Sequence, residues 1–456
     1  MFRTNRRFSL KRKRSRSFRP LRVLLAIPIV LIAAELLLWL AAGDLLRNYE
    51  GEPPLVADYR LQFINSQGQP YDGLPQGGRL AVSRSTFSGY ELVGDRQGDR
   101  WQIDAQGFRS DRPVPAQKPQ GEIRIFVFGG STAFGYLSSS NDTTFASQLE
   151  TRLNQRVKQQ KESPEQFQPA VLPYLREDVD KALARPPRIR AGNYRAVNAA
   201  VPGYASGNEL AQLATQIIQY NPDVAIVVDG YADLMLPSDR EAVDIPGTEE
   251  LLEDAPTHFY RHLSQQVRSW IDSTYLIKGI QYWILKPHQR PLSRWAPQLS
   301  VVGKNPNVPL SDYLADDKAE IERRVNRYLD RLRQMSRLTQ ALNIPLIAVV
   351  QPELTTRPED RLSATERAVL NRLGPQYAQH AEASYQLLSQ NLEQLKGELP
   401  NNVKLLDLSK LYQDFEGQAF QDAVHLTDEA SSVLSDRLYQ NVTRLFLLQP
   451  KPYGQS

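Results

Sequence analysis

A strand-like apolar pattern at Ile123, Ile125, Phe126 and Val127 runs without a break into Gly129-Gly130-Ser131-Thr132. No other junction constrains the chain as strongly. A buried strand that ends in a glycine pair and a hydroxyl belongs to an α/β layout, with a helix starting where the strand stops. The glycines permit a tight turn and a close backbone approach. The helix start offers unpaired N–H groups and the positive end of a dipole, which suits an oxyanion. Ser131 therefore stands where a nucleophile would stand, at the carboxyl end of a buried strand. The plainer alternative is a Ser-Thr helix cap after a glycine-rich turn.

A second element lies near the other end of the chain. Asp422-Ala-Val-His425 precedes Leu426-Thr427 and an amphipathic run from Asp428 to Leu447. Thr427 reads as the N-cap, with Asp428 and Glu429 in the first turn. An Asp three residues before a His can fold back through one turn and accept the Nδ1–H. That leaves Nε2 free to take a proton from a hydroxyl such as Ser131. Of the five histidines (His258, His262, His288, His380 and His425), only His425 has a carboxylate at that spacing and a helix start just after it. The alternative is a solvated Asp beside a capping His.

Two further segments fall between these. Asn198-Ala-Ala-Val-Pro-Gly203-Tyr204 follows a short strand over 194–197 and precedes a helix predicted over 208–220. Gly203 sits at the turn, where its N–H can point into a site. Asp223 to Asp229 is a buried-strand pattern that ends in Gly230-Tyr-Ala-Asp233. Taken singly, each is ordinary α/β punctuation.

In this order the four segments resemble the SGNH (GDSL-like) hydrolase superfamily, over roughly residues 120–235 and 340–447. Gly130-Ser131-Thr132 resembles the first block, which carries the nucleophile. Gly203 matches the second-block glycine. Gly230-Tyr-Ala-Asp233 resembles a third block that usually reads Gly-x-Asn-Asp, and Asp422-x-x-His425 resembles the fifth. The resemblance implies a Ser131–His425–Asp422 triad. It also implies an oxyanion hole made by the N–H groups of Ser131 and Gly203, and no cofactor or metal. The implied activity is serine esterase chemistry on O-acyl, notably acetyl, esters, with a glycan as the substrate suited to an outward-facing site. The alternatives are an O-acyltransferase, or a non-catalytic glycan-binding or assembly protein on the same fold.

The third block departs from the pattern at Ala232, where the family has an Asn whose amide donates to the oxyanion. A methyl group cannot donate. Losing one such donor costs about 10²–10³ in rate. Gly130 stands where an Asp is common, a milder change. Asn208 is the nearest candidate for a substitute donor, and a helix-cap role is the preferred reading of it.

The N-terminus carries a different signal. Residues 1–22 hold ten Lys or Arg and no acid, and the 21 residues from Val23 to Gly43 hold one charge, Glu35. About 20 apolar helical residues span a ~30 Å hydrocarbon core, and positive charge before the span predicts a cytoplasmic N-terminus. We expect a single-pass anchor contacting the bilayer through residues 23–43, with the remainder extracytoplasmic. Ala41-Ala42-Gly43 keeps a cleaved signal peptide as the alternative. Glu35 reads as tolerated by the Leu-rich remainder. Otherwise it is protonated or paired with a neighbouring helix, which would be the place for a membrane partner protein.

The basic tail distorts the overall charge of +4: without its ten cations, 45 basic residues face 51 acidic ones, a net of −6. The alkaline pI therefore belongs to the tail. No nucleic-acid partner is indicated, and lipid headgroups are the simpler partner for the tail. The absence of cysteine excludes disulfides, a thiol nucleophile and cysteine-ligated metal. His258 and His262 are four apart, but no metal motif surrounds them.

Strands alternating with helices predict a parallel sheet flanked by helices, a three-layer flavodoxin-like arrangement behind an N-terminal transmembrane helix. The expected organisation is a basic tail (1–22), an anchor (23–43) and an irregular lead-in (44–120). A hydrolase-like domain follows over 121–447, with insertions near 161–192 and 236–312, then a tail (448–456). Within the lead-in, Trp101 to Arg109 looks like the pre-strand segment of some relatives. Helices are predicted over 143–160, 316–342 and 363–397, and strands over 344–352 and 403–408. The arginines of 316–342 read as a solvated face. In 275–295, Leu276, Ile280, Trp283 and Ile284 recur at helical spacing, as a lid, a membrane-surface helix or a core-packed helix.

Overall fold

Five strands built from unbroken apolar runs form the centre of the protein in a computed structural model. It describes residues 19–47, 49, 51–71, 78–244, 264, 267, 270–295 and 308–454. The strands are β1 (Glu122–Gly129), β2 (Asn193–Asn198), β3 (Val224–Asp229), β4 (Leu346–Val350) and β5 (Val403–Asp407). All neighbours are parallel, in the order β5-β4-β3-β1-β2. Every residue of β1, β3 and β4 is buried, as expected of central strands covered on both faces. The order reverses between β1 and β3, and in such sheets the crevice beyond the carboxyl ends at that reversal is the usual ligand position.

Helices flank the sheet. α1 (Phe145–Glu162) packs on α4 (Asp428–Leu445), and α2 (Lys318–Ala341) packs on α3 (Ala364–Leu395). Their caps are those the sequence advertises. Thr427 accepts from the Ala430 N–H, Asp317 from Glu320, and Ser363 forms a capping box with Glu366. α3 is broken at Gly374, where φ is +85° just before Pro375. The expected 208–220 helix is α-helical over Ser206–Gln212 and then loosens into a π turn and a 3-10 turn.

The lead-in contains a small sheet of Leu61–Phe63, Leu80–Ser85 and Gly89–Leu92. Farther along the lead-in, Arg109 N–H donates to Asn198 C=O at the end of the edge strand β2. The 161–192 insertion returns to the C-terminus, Arg188–Ile189 pairing antiparallel with Leu447–Leu448. Much of 236–312, with His258 and His262, lies outside the described residues.

The arginines of α2 correct one expectation. Arg323 is exposed, but Arg324 is buried and donates to the carbonyls of Leu234 and Tyr313. Arg327 donates to the carbonyls of Asp233, Leu236, Pro237 and Arg240. Both satisfy carbonyls at the end of the short helix Tyr231–Met235, which a cation near a helix C-terminus does well.

The chain divides into two units. The strands and helices above belong to the larger, 53–262 with 290–456. The smaller joins 1–52 with 263–289. It contains the N-terminal helix Arg19–Arg47, with Pro28 inside it and a non-helical break at Ala42. Ala26–Arg47 is long and apolar enough to cross a membrane.

Candidate active site

Three side chains distant in sequence meet at the carboxyl end of β1. His425 Nε2 lies 2.7 Å from Ser131 Oγ, and His425 Nδ1 lies 2.5 Å from Asp422 Oδ2. Asp422 and His425 are fully buried, whereas Ser131 is partly exposed.

Ser131 is placed by its glycines. Gly129 has φ +144°, and a Cβ there would meet the Val228 carbonyl oxygen at 2.2 Å, so no other residue fits. A Cβ on Gly130 would meet the Tyr204 carbonyl oxygen at 2.9 Å and Asp229 Oδ1 at 3.6 Å. A side chain there would require the Tyr204 carbonyl to shift. Ser131 opens the short helix Ser131–Phe134, which Gly135 ends at φ +80°. Ser131 N–H donates to no other described residue, and neither does the N–H of Gly203, an exposed residue with φ +88°.

Asp422 shapes its own loop. Its Oδ1 accepts from Val424 N–H at 3.0 Å and His425 N–H at 2.8 Å. This turn folds the carboxylate back onto the imidazole. Gln421 N–H donates to the His425 carbonyl and closes the loop. Tyr136 stacks on the imidazole with centroids 4.6 Å apart and 28° between planes.

Other residues of this region are invisible to motif reading. Gln351 Nε2 donates to Thr132 Oγ1 at 3.0 Å, and that hydroxyl donates to the Val424 carbonyl. Leu354 N–H donates to the Ala423 carbonyl. The segment after β4 thus links the serine helix to the Asp-His loop. Its position at the carboxyl end of a buried strand is the one signal that marks it. Arg109, buried, donates to the carbonyls of Phe134 and Gly135 at 3.0 and 2.7 Å, bracing the end of the serine helix.

The third block ties to the second through Asp233, whose carboxylate accepts from Ser206 N–H at 2.9 Å and Ser206 Oγ at 2.6 Å. Asp229 and Glu209 are buried with it, and burial first, then repulsion from a neighbouring carboxylate (Asp233 on Asp229, Asp229 on Glu209), pushes both well above the carboxylate range. Ala232 is partly exposed beside them. Asn208 is committed elsewhere: it accepts from Ala205 N–H and donates to the Ser88 and Ala242 carbonyls, a structural role.

Glu353 has a measurable consequence. Burial pushes its carboxyl from the ordinary 4.5 to about 7, against donors from Thr355 and Tyr377. Tyr377 in turn meets Tyr231 Oη at 3.1 Å. Between those values the folded chain keeps a proton that the unfolded chain releases. The associated stability is therefore complete below pH 4.5 and lost as pH rises through about 7, a difference of about 3 kcal/mol. Thermal midpoints should fall from about pH 5 to about pH 8. Glu353→Gln should flatten that slope in melts across the range, in part only, because Asp229 and Glu209 act in the same direction.

No family model matches the sequence, and no curated protein matches it. Solved structures similar to this chain include an acetyl xylan esterase at 11% identity, covering 70% of this chain and 100% of its own, with TM-score 0.32. A lipase/acylhydrolase from Enterococcus faecalis matches at 12% identity, 73% and 100% coverage and TM-score 0.33. An acetylxylan esterase from Geobacillus stearothermophilus matches at 12% identity, 70% and 94% coverage and TM-score 0.31. At this level of similarity, function rests on the chain's own side chains.

Proposed function

We propose that the protein is a membrane-tethered, outward-facing serine esterase of SGNH type that removes O-acyl groups, acetyl foremost, from a glycan. The observation that carries this reading is the continuous chain Ser131 Oγ, His425 Nε2, His425 Nδ1, Asp422 Oδ2. Ser131 attacks the ester carbonyl as His425 takes its proton, and Asp422 stabilises the resulting imidazolium. The N–H groups of Ser131 and Gly203 hold the oxyanion. His425 then protonates the leaving alcohol, and water repeats the sequence on the acyl-serine. The anchor reading draws on the apolar helix and the ten preceding cations, which favour a cytoplasmic N-terminus.

A fluorophosphonate probe tests the nucleophile without knowledge of the substrate. Full-length protein should be labelled once, with the adduct on the peptide containing Ser131. Absence of labelling in folded protein would overturn the esterase reading.

A further inference from the structure

The smaller unit joins two segments remote in sequence through the one acid of the apolar N-terminal run. Glu35 Oε1 accepts from Tyr275 N–H at 2.7 Å, and Oε2 from Leu276 N–H at 2.8 Å. These residues open the helix Tyr275–Gly279, so their N–H groups have no preceding turn to bond. The Thr274 hydroxyl takes the next free donor, Ile277 N–H. Farther along, Leu38 lies against Gly279, Lys278 Nζ reaches the Arg47 carbonyl, and Tyr49 contacts Tyr282 and His288. Glu35 meets Tyr275 and Leu276, Leu38 meets Gly279 and Tyr49 meets Tyr282, so the two segments run side by side in one direction, with the long Lys278 side chain reaching ahead to Arg47. Before Tyr275 the chain bends at Thr274, and residues 270–273 are helical on its other side.

Around this bend the surface is apolar and uncovered. Trp270 is 70% exposed and Ile284 72%, with Ile271, Trp283 and Leu285 also exposed. Leu36, Leu37 and Leu40 of the N-terminal helix are equally bare. Lys286, Arg290 and Arg294 follow the apolar residues. Aromatic residues and cations at the end of an apolar stretch mark a membrane–water boundary.

We infer that residues 270–285 form a hairpin inserted in the outer leaflet beside the N-terminal helix, docked on Glu35, with lipid covering its apolar face. The inference rests on the membrane-span reading proposed above. A carboxylate and unbonded N–H groups are each costly near hydrocarbon, and here each removes the other's cost. In water both would be hydrated and the pairing would gain little. Within the apolar run Val23–Gly43, Glu35 lies about 12 Å inside the outer end at 1.5 Å rise per residue.

The chain has no cysteine, so single-cysteine variants of the full-length protein can be spin-labelled in phosphatidylcholine–phosphatidylglycerol proteoliposomes. Labels at Ile284→Cys and Leu37→Cys should collide often with oxygen and rarely with a water-soluble nickel chelate. A label at Tyr174→Cys, 76% exposed in the larger unit, should do the reverse. Nickel access at 284 equal to that at 174 would place the hairpin in water and overturn the inference. Low access to both reagents at 284 would mean that protein covers the face, which also overturns it. A water-like label at 37 would instead remove the membrane span itself, a separate failure. Adding Glu35→Leu should raise nickel access at 284 several-fold, and no change would overturn Glu35 as the docking point.

Discussion

Ser131→Ala and His425→Ala should each lower hydrolysis of a short-chain aryl acetate by about 10⁴–10⁶-fold, with little further loss when combined. The serine and imidazole act as one unit, so removing either leaves only binding and the backbone oxyanion donors. Asp422→Asn should cost about 10⁴-fold, for a reason specific to this loop. The Asp422 Oδ1 position is fixed by two backbone donors, Val424 N–H and His425 N–H. An asparagine keeps those bonds only by placing its carbonyl there, which turns its NH₂ toward His425 Nδ1. The ring must then accept at Nδ1 and carry its proton on Nε2, facing Ser131 Oγ. It can no longer act as the base. Steady-state rates for purified variants, with circular dichroism as a folding control, check all three. Equal rates in wild type and Ser131→Ala would remove the mechanism.

The elements that strand and helix periodicity announce are those whose causes are local. Runs such as Val224–Asp229 have little choice but to be buried strands, and Thr427 and Ser363 cap helices through bonds spanning three residues. Ser131, Asp422 and His425 are legible for the same reason, since a glycine turn and an Asx turn mark them within a few residues. The bracing shell is not legible. Gln351 reaches Thr132 across 219 positions and Arg109 reaches Gly135 across 26, and neither has a local pattern that names its partner. Arg324 and Arg327 read as solvated because helical spacing gives a side chain's direction and not what waits there. In their case it is a row of carbonyls. Glu35 reads as merely tolerated for a similar reason, since its donors lie 240 and 241 positions away.

Ala232→Asn should raise kcat for aryl acetate by about 10²-fold if the protein turns over esters with two backbone oxyanion donors. Position 232 lies in the first turn of the short helix Tyr231–Met235, is partly exposed, and needs no unusual backbone conformation. An asparagine there leaves the fold intact at a helix-propensity cost of about 0.5–0.7 kcal/mol. The surrounding scaffold already holds the helix in place. Asp233 is tied to Ser206, and Arg327 satisfies the carbonyls behind it. On the esterase reading, a new amide would therefore come from an already fixed backbone, and preorganisation is what makes an oxyanion donor effective. The gain should be lost in the Ala232→Asn/Ser131→Ala double variant, which separates catalysis from altered binding. A glycan-binding protein on this fold would show no rise at all, because no developing charge exists for the amide to meet. A transferase would show faster acylation by the aryl ester without faster release to water, seen as a larger burst over an unchanged steady rate. The three outcomes are distinguishable in one stopped-flow experiment. The substitution thus measures both the cost of Ala232 and the kind of protein that carries it.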